Sequence, residues 1–104
     1  MFVAIVQIPM SRRPRDAAVE AATKSAPTYT ALGAKGLLRK YYLNGEAGGG
    51  GVYLWASEAA ARAWYTPEWE ARMEAAFGAR PVVTYYDNHV VVDNETGQVR
   101  VENA

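Results

Sequence analysis

The alternation of apolar and polar positions along the chain predicts a short series of strands and helices. Phe2 to Ile8 is apolar at every position but Gln7 and runs into Pro9, which predicts a buried strand. Ser11-Arg-Arg-Pro-Arg15 reads as a loop whose Pro14 opens a helix. Arg15 to Ser25 is alanine-rich and helix-prone, with a narrow stripe of Val19, Ala22 and Ala26 that lets a helix lie close to a sheet. Pro27 is expected to end or kink this helix, with one more turn over Thr28 to Leu32 and a connection at Gly33-Ala-Lys-Gly36. Gly36 to Asn44 reads as a second strand. Its two alternating sets, Leu37, Arg39, Tyr41, Leu43 and Leu38, Lys40, Tyr42, Asn44, are both mixed, so both faces are covered at least in part. Asn44-Gly45 and the glycines at 48–51 read as a loose hairpin tip, since no Lys-Ser/Thr pair or helix follows them to make a phosphate loop.

The stretch from Gly51 to Trp69 organises the rest. Val52 to Trp55 is β-branched or aromatic at three of four positions and predicts a third strand. Ser57 is placed to cap a helix, Glu58 suits its positive end, and Glu58 and Arg62 stand four apart in the favourable order. Thr66-Pro67 breaks that helix and starts another, which ends at Gly78 and aligns Trp69, Met73, Ala76 and Phe77 on one face. Pro81 to Asp93 predicts the last long strand. After a turn over 93–97, Gln98 to Val101 returns as a short strand or reaches another chain. The order β-α-β-β-α-β predicts an α+β, ferredoxin-like antiparallel sheet with both helices on one face. Residues 1–104 then form a single domain, with 94–104 as a C-terminal tail. The uncovered sheet face predicts a homodimer, with the segment from Val90 to Val101 crossing to the partner.

Composition narrows the chemistry. The chain has 104 residues, no cysteine and one histidine, His89, which excludes disulfides and Cys- or multi-His metal sites within one chain. No apolar run reaches a membrane span and the N-terminal run lacks a signal-peptide pattern, so no membrane partner and a cytoplasmic location are expected. Eleven basic and eleven acidic residues cancel, but residues 1–52 carry +4 and residues 53–104 carry −4. The zero net charge, and a third strand without the basic residue of RNA-recognition domains, argue against a nucleic-acid partner. The loop Gln7-Ile-Pro-Met-Ser lacks the anion cradle of acylphosphatases, which share the topology.

Four blocks carry a family resemblance: Gly36-Leu-Leu-Arg-Lys-Tyr-Tyr-Leu43, Gly50-Gly-Val-Tyr-Leu-Trp55, Ala63-Trp-Tyr-Thr-Pro-Glu-Trp69 and Pro81-Val-Val-Thr-Tyr-Tyr86. Over roughly residues 2–94 the chain resembles the YdhR-type mono-oxygenase family of the dimeric α+β barrel superfamily. That resemblance implies a pocket between sheet and helices in each subunit of a homodimer, and mono-oxygenation of a small aromatic or polycyclic, quinone-forming substrate with no cofactor. The alternative is a non-catalytic dimeric module that binds a hydrophobic ligand. Trp55, Trp64, Tyr65, Trp69 and Phe77 are candidate slot walls, with Tyr53 and Tyr85 as further substrate contacts. Tyr41, Tyr42, Tyr53 or Tyr85 would hydrogen-bond a phenol, and Arg39 or Lys40 would stabilise a phenolate. Tyr42, Arg39 and the single histidine His89 are the catalytic candidates. Arg39 and Tyr42 have opposite parity on their strand, so at most one of them enters the slot unless a bulge intervenes, and Tyr42 costs less to bury. Each tryptophan has a plainer reading as core, Arg39 and Lys40 as solvated or ion-paired charges, and His89 as a surface or interface residue.

Overall fold

The computed structural model describes residues 1–102. The chain is α+β, built on a four-stranded antiparallel sheet. Strand β1 (Phe2–Ile8) lies inside it, between β3 (Gly48–Trp55) and β4 (Val82–Asp87), and β2 (Leu37–Gly45) pairs with β3, giving the order β2-β3-β1-β4. Helix α1 (Arg15–Ala31) connects β1 to β2, and helices α2 (Glu58–Trp64) and α3 (Pro67–Phe77) connect β3 to β4.

The pleat sorts the side chains. Phe2, Ala4, Val6 and Ile8 of β1 are buried together with Tyr53 and Trp55 of β3, Ala61 of α2 and Trp69 of α3. The register pairs Trp55 with Phe2, Tyr53 with Ala4, Gly51 with Val6 and Gly49 with Ile8, so these residues share the helix-covered face. The opposite face carries Val3, Ile5, Val52, Leu54, Tyr41, Leu43, Val82 and Tyr86. None of these is buried, and the last two are more than half exposed.

Local chemistry explains the corner between α2 and α3. Ser57 Oγ accepts from the Ala60 amide at 3.1 Å and Thr66 Oγ1 from the Trp69 amide at 3.2 Å, so both helices begin at a side-chain cap. Pro67 fills the first turn of α3, where its missing amide costs nothing, and Gly78 closes the helix in the left-handed region. Arg62 and Glu58 form the expected i,i+4 pair at 2.7 Å.

One local expectation holds in part and three give way. Helix α1 does not end at Pro27 but continues to Ala31, which supplies the expected further turn. Tyr29, two residues beyond the proline, packs its ring edge-on against Tyr42, Tyr53 and Trp64, and this packing holds the extra turn in place. The stripe of Val19, Ala22 and Ala26 does not bring α1 onto the sheet, for no residue of the helix is buried. The glycines at 48–51 are not a loose tip but the first half of β3. Gly48 and Gly50 have positive φ, and a Cβ there would run into the carbonyl oxygens of Ile8 and Val6, so glycine alone lets β1 lie alongside. The last long strand is broken at Asn88-His89, where the Asn88 amide turns to the Met1 carbonyl. Beyond the break, β5 (Val90–Asp93) pairs with β6 (Gln98–Val101) of the same chain, around a turn whose Glu95 and Thr96 amides donate to Asp93 Oδ1.

Candidate functional site

Below the helices the sheet divides into a packed end and an unfilled end. At the packed end Tyr65 is the hub. Its ring meets those of Trp69, Tyr53, Trp55 and Tyr85 edge-on, with centroids 5.0, 5.5, 5.9 and 5.9 Å away. Trp55 Nε1 donates to the Tyr65 hydroxyl at 3.2 Å, and Phe2 stacks on Tyr85. Burial pushes the Tyr65 phenol well above its ordinary range, partly offset by the Trp55 contact, so it stays protonated. The Thr66-Pro67 break thus folds its aromatics edge-on against one another in a packed corner.

The unfilled end is a cavity of about 430 Å³ between α1, α3 and the far halves of β1, β2 and β3. It exists because two of its walls carry mostly small side chains or none. Helix α1 presents Ala18, Ala21, Ala22 and Ser25, and β3 presents glycines. The missing Cβ of Gly49 makes room for Met10, whose Sδ lies 3.0 Å from where it would stand. That of Gly51 makes room for Lys40, whose Cε lies 3.1 Å away. Val6 and Ile8 form the floor, and Trp69, Met73 and Phe77 of α3 form the far wall.

Lys40 is the outstanding group in this wall. Its Nζ lies 3.3 Å from the ring centroid of Tyr29, 3.9 Å from that of Tyr42 and 4.7 Å from that of Tyr53. None of the ion pairs among the described residues includes it. Burial pushes its ammonium down to about 7, while the π faces around it pull the other way by favouring the cation. The Tyr42 hydroxyl shares a 2.8 Å hydrogen bond with Ser25 Oγ of α1. Burial raises the Tyr29 and Tyr53 phenols, which remain neutral donors near Lys40. At the other end of the cavity the Arg13 backbone is clamped to Asn44 by two 2.9 Å hydrogen bonds, and its guanidinium lies 5.7 Å from the Phe77 ring. The lining includes two cations, Lys40 and Arg13, and no carboxylate. Trp69 also lines it, and its buried indole N–H has no acceptor among the described residues.

The candidate residues therefore separate. Tyr42, Tyr53, Trp69 and Phe77 line the cavity. Trp55, Tyr65 and Tyr85 belong to the packed corner, and Trp64 packs edge-on against Tyr29 outside the cavity lining. Arg39 lies on the opposite sheet face. A register shift between Leu37 and Arg39 comes before it and leaves its parity relative to Tyr42 unchanged, so Arg39 pairs with Leu54 and Tyr42 with Gly51. Its guanidinium donates to the Tyr41 hydroxyl at 2.9 Å, and that contact, followed by the field of Glu95 and Asp93, holds it above its ordinary range. His89 is exposed in the connection between β4 and β5, where its carbonyl accepts from the Glu102 amide, and it does not line the cavity. Sequence reading weighed Lys40 only beside Arg39 and passed over Arg13 and Met10. Sharing the alternate set of Tyr42 was the one available signal for Lys40. No protein-family model and no curated protein matches this chain.

Proposed function

We propose that the cavity under α1 binds a flat aromatic molecule and that the chain is a cofactor-independent mono-oxygenase of the YdhR type. The observation that carries this reading is the desolvated Lys40 amine among three tyrosine rings, in the wall of an apolar cavity. Near neutral pH a share of that amine is unprotonated and can take the proton of a bound phenol, leaving an ammonium beside the phenolate. The Tyr42 hydroxyl, steered by Ser25, is placed to hydrogen-bond the same oxygen. A substrate of the anthrone class then donates electrons to O2 itself. Its ring CH2 becomes a C=O, one oxygen atom enters the quinone and the other leaves as water. Arg39 and His89 have no part in this step.

The sheet order β2-β3-β1-β4 supports a ferredoxin-like assignment, and the uncovered apolar face supports a homodimer of the dimeric α+β barrel type. Sedimentation at micromolar concentration is expected to give about twice the 11.4 kDa chain mass, and a stable monomer would remove the dimer. Oxygen uptake with a panel of hydroquinones and anthrones tests the activity. Uptake is expected with wild type and strongly reduced in Lys40→Met. Tight binding without uptake would instead assign the cavity to a non-catalytic ligand-binding module.

A further inference from the structure

We infer that the ligand of this cavity carries an anionic group at the end remote from its phenol, and that Arg13 selects for it. The inference rests on the cavity being the ligand site. Arg13 belongs to the loop between β1 and α1, and its main chain is fixed to Asn44 by a reciprocal pair of hydrogen bonds. Asn44 lies on β2, four residues beyond Lys40, or roughly 13 Å at the strand rise. The two cations therefore mark opposite ends of one space whose middle is Val6, Ile8, Met73 and alanines.

Neither cation is neutralised. Arg13 and Lys40 are absent from every ion pair among the described residues; Arg12, Lys24, Lys35, Arg39 and Arg72 are absent too but exposed to water, whereas Arg13 and Lys40 are both partly buried. Arg13 is partly buried against the Phe77 ring, and no acid lines the cavity. A guanidinium held at a cavity rim by its own backbone, without a carboxylate, matches a ligand carboxylate, which it can meet with two parallel N–H donors. The ligand class is thus an aromatic body spanning two polar ends, a phenol at Lys40 and a carboxylate at Arg13. Phenols lacking the acid fit the same space but leave Arg13 unused.

Titration calorimetry with 6-hydroxy-2-naphthoic acid, its carboxamide and 2-naphthol tests this. Wild type is expected to bind the acid about tenfold more tightly than the amide, the contribution of one charge-assisted contact. Arg13→Met should erase that preference by weakening the acid more than the amide, and the clamp to Asn44, which uses only the Arg13 backbone, is kept. Lys40→Met should weaken acid and amide alike, and thermal melts confirm that both variants fold. Equal binding of acid and amide by wild type, or a preference that survives Arg13→Met, overturns the inference and leaves the cavity as a phenol site. A preference lost in Lys40→Met but kept in Arg13→Met overturns it by placing the anion at Lys40. Failure of all three probes to bind overturns it together with the site itself.

Discussion

The two ends of the space beneath the helices are built from opposite choices of residue. At the α2–α3 corner Trp55, Trp69 and Tyr65 fill the volume, with Trp55 fully buried. Under α1, alanines face glycines and the volume stays open. The corner is where large rings bury the most apolar area per residue, so stability concentrates there. The open end withholds that contribution, since α1 has no buried side chain and is tied down by Ser25, Tyr29 and the neighbouring Arg13–Asn44 clamp. Aromatic rings therefore close on one another at the corner, whereas at the candidate site five of them stand around a space that alanines and glycines leave open.

Cutting into the corner should have the largest effect. Trp55→Ala is expected to cost about 3–5 kcal/mol, read as a fall in the urea midpoint. A loss below about 1 kcal/mol would mean that the corner collapses around the gap and is not the rigid half.

With no buried side chain on α1, the open end should tolerate larger side chains better than the corner, and Gly50→Ala tests where that tolerance stops. Its φ is +131° and a Cβ would strike the Val6 carbonyl, so we expect a loss of about 1–3 kcal/mol although the residue lines the cavity. The tolerance belongs to the α1 side alone, and a neutral Gly50→Ala would contradict this.

A matched pair compares the two ends directly. Ala61→Leu, at a fully buried site in α2, should cost about 1–3 kcal/mol by overpacking. Ala22→Leu, facing the cavity from α1, should change stability by no more than about 0.5 kcal/mol while weakening naphthol binding by at least about tenfold. Equal destabilisation by both would show that the open end is packed after all.

The smallest effect is electrostatic. Lys40 binds its proton less tightly in the folded chain than its ordinary 10.5, with a folded value of about 7. The unfolded state thus holds more protons between these values. Stability should rise with pH through that window, and the penalty is fully present below about 7. The groups facing it are Tyr29, Tyr42 and Tyr53, with Arg72 acting on Tyr29. The raised phenols of Tyr29 and Tyr53 reverse the trend above about 10, where the unfolded chain loses their protons first. Urea midpoints of wild type measured across this window should climb and those of Lys40→Met should stay level. Parallel curves would mean that the tyrosine faces cancel the desolvation.

What the sequence determined by itself was local. The caps at Ser57 and Thr66, the stop at Gly78, the i,i+4 pair and the alternation of β1 each follow from neighbours within a few residues. The parity that divides Arg39 from Tyr42 was legible too, because a strand's period acts at every residue. Only the tertiary structure decided where volume was left over. The glycine run becomes a strand because β1 lies against it, α1 passes Pro27 because Tyr29 has partners on β2, β3 and α2, and Lys40 loses its water because three tyrosines from α1, β2 and β3 converge on it. A cavity is a deficit summed over elements far apart in the chain. Alanine on one helix and glycine on one strand each read as ordinary until the fold sets them face to face.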